Sequence, residues 1–577
     1  MGVGVVTKPV CTKFLGVAIM VAVEEKCFGA VCFIKLPEGI PQVFGFSEYM
    51  TGLAVMVIAW TLADYRYHFR LETAAFPIKP VSFWALVCLG LLTIATDLWR
   101  AEGYWVLTGG FLTPVAWQGV LALSFVSLFL GWAWFGLMCP SKIGPRNAEI
   151  FKNAVQRRIL SSGEPELALL ADELVFSAEN IVALTPVHLE RELEGTKLAV
   201  RDLLLTMADP RFCNVVVSKR PILAISLYEN LGERSVYPRI FDHLSKNLAV
   251  AAFTNETSVL VYETDGYDTG FWGYTKPFTR AFFGNSAIVD SVGTMFDVPY
   301  EVKQEWGKRE WDLYARAILV FLEDRLKRRR DWSHSFPLHR ALGSMMGFGA
   351  FTLSEIDAKA AQDNIYFQRF ARSCRLMESI LDLLRDQPEI DHIVRIKGNN
   401  FNLLDSIAQN AFELLATASY VRNHGFLCWE VQHNMAWSSI FGRLRSESRN
   451  TRIVQKIVSR KVLDKVVELA RGNWPGYDAA RMLGLCINVL TLDPSLDRSK
   501  VKEKDRNTFA LRVAILLWMR HHFAWLYSAF PEVAQAALVE KIDYDETNSR
   551  LVIKSLWGRG QARYIDLDGY VFPPPRL

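Results

Sequence analysis

Few side chains in this sequence are spaced so that they could act together in catalysis or metal binding. His521 and His522 are adjacent, so on a helix their side chains diverge by about 100° and cannot reach one metal ion without distortion. His334 and His339 have a spacing that some metal sites use, but no neighbouring carboxylate or cysteine completes a ligand set. We therefore predict no metal site and no cofactor.

An acidic, glycine-containing stretch, ETDGYD at 263–268, is a second candidate for cation binding. Its carboxylates, Glu263, Asp265 and Asp268, offer the oxygen ligands that hard cations prefer. The spacing of an EF-hand is missing, because no glutamate follows at the required distance. Ordinary turn chemistry is the favoured interpretation.

The short motifs that mark common catalytic sites are absent from the sequence. It contains no GxxxxGK[ST] phosphate loop, no GxGxxG, no GxSxG around a nucleophile and no HExxH metal-binding helix. We therefore expect a protein that is not an enzyme. A membrane-bound enzyme with a site assembled from distant residues stays open as an alternative.

The segment at 265–284, DGYDTGFWGYTKPFTRAFFG, combines seven aromatic rings with four glycines. So many rings left in water would form an aggregation-prone patch, so protein, lipid or a ligand must cover them. Packing into a helical core is the favoured interpretation, contact with lipid headgroups is the second and a binding pocket is the third. For a pocket, the candidate residues are Tyr267, Phe271, Trp272, Tyr274, Lys276 and Arg280.

A run of four cations, Lys327, Arg328, Arg329 and Arg330, ends a predicted long helix. Cations near a helix C-terminus complement the helix dipole, so a solvated helix end is the plainer interpretation. In a protein held at a bilayer the same run would also meet anionic lipid, which contributes roughly 1 kcal/mol for each residue near the surface. The run is therefore a candidate membrane-surface site.

Three apolar runs in the first quarter of the chain predict helices that cross a membrane. They occupy 46–63, 81–99 and 115–138, and a bilayer core requires roughly 20 apolar residues in a helix. Trp and Tyr residues lie near their ends, as in the aromatic belts of membrane proteins. The acidic residues Glu48 and Asp97 also lie near predicted ends, so they are candidate intramembrane polar residues or simple headgroup contacts.

Lysine and arginine residues predict the orientation, because cationic loops stay on the cytoplasmic side. Five cations lie within 141–158, whereas 100–114 carries one cation and one anion. The large C-terminal part is therefore predicted to be cytoplasmic. If the chain also begins in the cytoplasm it must cross once more, and 10–23 is the favoured fourth span. An interfacial or re-entrant segment is the alternative.

After residue 140 the pattern changes to amphipathic helices separated by short breaks. Runs at 187–207, 302–330, 401–421 and 509–530 predict helices, because their apolar residues recur three to four positions apart. Consecutive helix pairs loosely resemble those of armadillo-type or HEAT-type solenoids. No fixed period supports that resemblance, and an irregular helical bundle is the alternative.

Two stretches depart from helical periodicity. A short strand is predicted within 257–266, where β-branched residues alternate. About three antiparallel strands are predicted after residue 541, around turn residues at 546–549 and 558–560.

Charge and cysteine content limit the partners. The net charge of +4 provides no global basic field, so no nucleic acid partner is expected. The nine cysteines are scattered singly, which predicts no disulfide framework and suits a reducing compartment.

These patterns together predict a mainly α protein in four parts. The parts are a transmembrane domain at 1–139, a cytosolic helical domain at 140–335, a second and repeat-like helical domain at 336–540, and a small β element with a proline-rich tail at 541–577. We expect a multi-pass protein, bacterial and of the inner membrane, that anchors a cytosolic interaction or sensing domain. Its expected partners are the lipid bilayer and either another protein or a second copy. The alternative is a channel, transporter or membrane-disrupting effector with an oligomeric membrane block.

Overall fold

The structure is a computed structural model of the 577-residue chain. It describes residues 5–14, 17–28, 31–35, 42–62, 64–108, 114–186, 194–234, 239–263, 276–328, 334–347, 353, 364–388, 402–422, 425–442, 448–471, 475–490, 508–539, 542–554 and 563–568. The chain divides into two compact units. Unit 1 comprises residues 1–186 and 190–207, and unit 2 comprises residues 187–189 and 208–577.

Unit 1 contains one sheet and a series of helices. The strands are β1 Val5–Phe14, β2 Val17–Phe28, β3 Val31–Lys35 and β4 Trp105–Thr108. The helices are α1 Phe46–Leu62, α2 Tyr65–Thr73, α3 Ile78–Ala101, α4 Pro114–Ala133 with a π-helical continuation Trp134–Met138, α5 Ala148–Ser161, α6 Glu164–Val175, α7 Ala178–Leu184 and α8 Gly195–Met207.

Unit 2 is mainly helical and ends in a small sheet. Its helices are α9 Pro210–Lys219, α10 Ile222–Glu233, a 3-10 turn Arg239–Phe241, α11 Asp242–Thr254, α12 Val259–Tyr262, α13 Pro277–Phe283, α14 Ser286–Val292, α15 Tyr300–Gln304, α16 Lys308–Lys327, α17 Phe336–Met346, α18 Ile365–Arg385, α19 Leu403–Ala418, α20 Gly425–Trp429 with a π-helical continuation Glu430–Trp437, α21 Ser438–Phe441, α22 Arg449–Arg471, α23 Tyr477–Val489, α24 Phe509–Ala529 and α25 Pro531–Ala537. Its strands are β5 Ile542–Asp545, β6 Arg550–Ile553 and β7 Arg563–Asp566.

The N-terminal sheet contradicts the prediction of a membrane-spanning helix at 10–23. Residues 10–14 belong to β1 and residues 17–23 to β2, and these strands pair antiparallel from Val5 opposite Lys26 to Phe14 opposite Val17. The uninterrupted apolar stretch is about half the length that a helical span needs, and its β-branched residues favour extended backbone. The paired strands satisfy each other's backbone hydrogen bonds, whereas a helix this short could not span the bilayer with all of its backbone groups satisfied.

Two helices of the described chain are long and apolar enough to cross a membrane, Ile78–Ala101 and Val115–Met138. They correspond to the runs predicted at 81–99 and 115–138. The run at 46–63 forms α1, which qualifies only when it is counted together with α2, and the two helices are bent by 105°. The structure therefore supports two candidate spans, or three if the bent pair counts as one.

The helices α1, α3 and α4 run alongside one another. At the start of α1, the Phe46 amide donates to Asp97 Oδ2 at 2.7 Å and the Val43 amide donates to Gln118 Oε1 at 3.2 Å. These acceptors lie late in α3 and early in α4, so α1 and α4 share one direction and α3 has the opposite one. The other ends meet in a buried cluster of Met56, Tyr67, Leu71, Ile78 and Trp132.

In unit 2, two sequence-based predictions of secondary structure are wrong. The strand expected within 257–266 is replaced by the single helical turn α12, which buries Leu260. The long helix expected at 302–330 is divided into α15 and α16, because Trp306 turns into the core and Gly307 supplies the extended backbone that starts α16. The solenoid arrangement stays a prediction.

The C-terminal strands confirm the predicted antiparallel sheet. The order is β5, β6, β7, with Ile542 opposite Ile553 and Leu551 opposite Ile565. The turn between β5 and β6 includes Ser549 at a φ of 48°, a left-handed conformation, in a four-residue turn that Asp545 and Asn548 brace by hydrogen bonds.

Candidate functional site

The rest of the protein leaves many large apolar side chains of α1, α3 and α4 exposed. In each of the two candidate spans, 17% of the most apolar eighteen-residue stretch is buried inside the protein. A contiguous apolar surface of this kind marks contact with lipid or another protein. The two helices are therefore compatible with a membrane protein. Exposed large side chains include Val55, Ile58, Phe83, Trp84, Leu91, Leu98, Leu123, Leu130 and Leu137.

Helix α2 connects the candidate spans to the polar helices of unit 1. Arg70 donates to both carboxylate oxygens of Glu173, at 2.8 and 2.7 Å, and also to the carbonyl oxygen of Leu137 at 2.6 Å. Arg66 pairs with Asp172 at 2.7 Å. The Glu173 side chain is only 1% exposed, so its charge depends on Arg70 for compensation. These contacts attach α2 to α6.

The predicted intramembrane residues Glu48 and Asp97 both accept hydrogen bonds at the start of α1. Asp97 Oδ2 accepts from the Phe46 amide, and Glu48 Oε2 accepts from the Gly45 amide at 2.9 Å. The first amides of a helix lack an intrahelical acceptor, so these carboxylates act as caps. A capping role accounts for both acids, and the channel hypothesis draws no support from these contacts.

The described end of the aromatic segment lies in the core of unit 2. Phe278, Phe282 and Phe283 are fully buried in α13, and the Phe282 ring lies 4.6 Å from that of Tyr228. Of the candidate binding residues in this segment, Arg280 is exposed on α13 and Lys276 is partly buried before it. The others, Tyr267, Phe271, Trp272 and Tyr274, lie outside the described residues, so a ligand pocket there stays a prediction.

Glu263, considered above as a cation ligand, caps α13 instead. Its carboxylate accepts from the amides of Phe278 and Thr279 at 2.8 and 2.9 Å and from the Thr279 hydroxyl at 2.5 Å. The buried guanidinium of Arg316 donates to the carbonyl oxygens of Glu263 and Leu260. Asp265 and Asp268 lie outside the described residues.

The described half of the predicted membrane-surface run is engaged in ion pairs along its own helix. Lys327 contacts Glu323 at 2.6 Å, and Arg328 contacts Asp324 at 2.8 Å. Both pairs are partly exposed, so salt or an anionic surface can compete with them. Arg329 and Arg330 lie outside the described residues, and lipid contact by the run stays a prediction.

The two histidine pairs of the sequence lie in different surroundings. His334 and His339 have ring centres 5.3 Å apart, and His339 Nδ1 lies 3.1 Å from Ser406 Oγ. His521 Nδ1 contacts Asp568 Oδ2 at 2.5 Å. Within the described ranges, no group of three or more His, Cys, Asp or Glu side chains is placed to hold a metal ion.

Sequence reasoning missed a group of cations that the fold brings together in unit 2. Lys303 at the end of α15 and Arg369 on α18 both contact Ser344 on α17, and Arg340 lies one turn before Ser344 on the same helix. We call Lys303, Arg340 and Arg369 the cationic cluster. Its members come from three helices, so no local motif could have revealed it.

Burial shifts the pKa of two members of the cationic cluster, Lys303 and Arg369. Burial lowers the pKa of Lys303, and the charges of Arg369 and Arg340 lower it further, while Asp297 raises it. Burial also lowers the pKa of Arg369 to about 10. The Arg369 guanidinium lies 4.2 Å from the centre of the Trp311 ring. Such a group of partly desolvated cations favours an anion.

Comparison of the chain with models of known families, with curated proteins and with solved structures finds no match.

Proposed function

We propose that this protein is an integral membrane protein in which the helices of the first 139 residues anchor a helical interaction or sensing domain. The observation that carries the proposal is the exposed apolar surface of α3 and of the helix Val115–Met138. Lipid is the environment in which such helices are stable without further burial.

The charge asymmetry supports a cytoplasmic location for unit 2. The cations within 141–158 follow the second candidate span, whereas the connection between α3 and α4 is nearly uncharged. The ion pairs between α2 and α6 are consistent with this assignment. Helix α2 precedes α3 and α6 follows α4, so these pairs keep the start of α3 and the end of α4 on the same side of the membrane. Under this topology α1 is a third crossing, and the N-terminal sheet lies on the non-cytoplasmic side with the α3–α4 connection.

In this proposal unit 2 binds a protein partner or a second copy of the chain, and the membrane is the inner membrane of a bacterium. The sequence contains no catalytic motif that favours an enzyme instead.

The test is membrane integration of a double variant. Leu91 on α3 and Leu123 on α4 are both exposed, and an arginine near the centre of a spanning helix costs about 2.5 to 3.5 kcal/mol. The variant Leu91→Arg with Leu123→Arg should lose much of its resistance to extraction by alkaline carbonate. The unaltered chain should remain in the membrane pellet.

The matched control places the same charges on α5 of unit 1. Ile150 and Leu160 are 51% and 65% exposed, against 61% and 68% for Leu91 and Leu123. Arginines at these two control positions should leave extraction unchanged. Release of the unaltered chain without detergent, or equal behaviour of both double variants, would contradict the proposal.

A further inference from the structure

We propose that the cationic cluster of Lys303, Arg340 and Arg369 is a binding site for a phosphoryl group. No motif in the sequence points to this site, and the proposal does not depend on whether unit 1 spans a membrane.

The three cations converge on one face of α17. Lys303 Nζ donates to Ser344 Oγ at 2.9 Å, and an Arg369 guanidinium nitrogen donates to the Ser344 carbonyl oxygen at 2.5 Å. Arg340 lies four residues before Ser344, and residues at this spacing share a helix face. Ser344 therefore holds Lys303 and Arg369 near each other, and Arg340 lies one helical turn away from Ser344.

Carboxylates compensate these charges only in part. Arg340 pairs with Asp297, which also acts on Lys303. The described contacts of Lys303 and Arg369 with Ser344 and Gly347 are to neutral oxygens. In the described part of the chain Lys303 and Arg340 share Asp297, so this side of the cluster suits the dianionic charge of a phosphate.

Helix capping explains part of the cluster but not all of it. Arg369 donates to the carbonyl oxygens of Ser344 and Gly347 at the end of α17, where cations are favourable. The ammonium of Lys303 meets a neutral hydroxyl while it is partly desolvated, and two arginines repel it against the attraction of Asp297. Desolvated, repelled cations are stabilised when an anion binds.

Aromatic side chains at the edge of the cluster are accessible to a ligand. Tyr300 begins α15 and is 70% exposed, and Tyr366 is exposed in the first turn of α18. Both raise the pKa of Arg369 against the effect of burial, which places them near its guanidinium. Their hydroxyls are hydrogen-bond donors of the kind that complete phosphate sites, alongside an arginine fork and a lysine point charge.

The primary test is binding of inorganic phosphate to the full chain in detergent, measured by calorimetry and by the shift in Tm at constant ionic strength set with chloride. Phosphate should raise the Tm of the unaltered chain. Lys303→Met should weaken phosphate binding by about tenfold, because a hydrogen bond to a charged group is lost. Lys303→Arg, which keeps the charge, should retain most of the response.

The behaviour of Lys303→Met without phosphate separates a ligand site from a structural role. Removing a desolvated cation should leave the Tm unchanged or raise it. A lower Tm would assign Lys303 a structural role and overturn the proposal. The control is Lys308→Met, an exposed lysine at the start of α16, which should keep the full phosphate response.

A second arm distinguishes a free phosphate compound from a lipid headgroup. The full chain is placed in nanodiscs of phosphatidylcholine with or without phosphatidic acid, which presents a phosphomonoester. A Tm increase with phosphatidic acid that Lys303→Met abolishes would identify lipid as the source, and a response to inorganic phosphate alone would identify a soluble compound. If neither probe changes the Tm of the unaltered chain, the proposal fails.

Discussion

Two buried charged residues of unit 2, Glu263 and Arg316, bind backbone groups at the ends of short helices. Glu263 is 1% exposed and receives three hydrogen bonds from the first turn of α13, and Arg316 binds the carbonyl oxygens around α12. Neither role was visible in the sequence, where Glu263 belonged to an acidic stretch and Arg316 to a helical pattern. Capping partners are set by tertiary contacts, so sequence spacing does not identify them.

Replacement of Glu263 by glutamine should destabilise unit 2. The NH2 group of glutamine is a donor, and it would face backbone N–H groups of α13 that are also donors. At least one buried hydrogen bond is therefore lost, at a cost on the order of 2 kcal/mol. Hydrogen exchange should become faster at α13, and the Tm should fall. Glu256→Gln is the control, because Glu256 is 80% exposed in its contact with Arg309. Equal effects of both variants would contradict the capping role.

His334 should make unit 2 sensitive to acid. Burial, His339 and Arg325 lower its pKa below the usual 6.5, although Asp290 opposes this. The unfolded chain therefore takes up the proton first as the pH falls below 6.5, and stability present above that pH is lost. Between pH 7 and pH 5, the Tm of His334→Gln should fall less than the Tm of the unaltered chain. An equal fall in Tm for His334→Gln and the unaltered chain over this range would contradict the role of His334.

Among the elements, α2 shows what a pattern of charges can and cannot predict. The cations and acids of unit 1 were recognisable, and the helices on both sides of α2 were predicted at nearly the observed positions. The bend after α1 was not predicted, and neither was the pairing of Arg70 with Glu173, which brings together residues about a hundred positions apart. The pairing of β3 with β4 was missed for the same reason, since it joins residues on either side of α1, α2 and α3.

Removal of Arg70 should loosen α2 from α6. Arg70→Met leaves the buried Glu173 carboxylate uncompensated, which costs about 3 to 5 kcal/mol. Faster proteolysis around α2 and a lower Tm should result. The double variant Arg70→Met with Glu173→Met should recover much of the loss, because it removes the unpaired charge. Arg66→Met is the control, since that pair is partly exposed and should contribute at most about 1 kcal/mol.

For the whole molecule, the sequence predicted the mainly helical character and the C-terminal sheet because these depend on local periodicity. It predicted four spans, whereas the described chain has two helices long and apolar enough to cross a membrane, or three if the bent pair of α1 and α2 counts as one. The cationic cluster was beyond its reach, because Lys303, Arg340 and Arg369 become neighbours only when three helices pack.

The proposed topology predicts that the α3–α4 connection and α5 lie on opposite sides of the membrane. Single cysteines at Glu102 and Ser161, both exposed, are introduced into a chain whose native cysteines are replaced. In intact cells a membrane-impermeant thiol reagent should label the cysteine at 102 but not the one at 161. After permeabilisation both should react. Labelling of both before permeabilisation would contradict the topology.

The pairing of β3 with β4 also orders events during synthesis. The ribosome releases residues 31–35 long before 105–108, so the outer edge of β3 stays unpaired until the three intervening helices have been made. An open edge is a template for wrong partners. A chain that stalls near residue 100 would therefore leave that edge unclosed, and nascent copies arrested there should be more prone to join one another than copies released at full length.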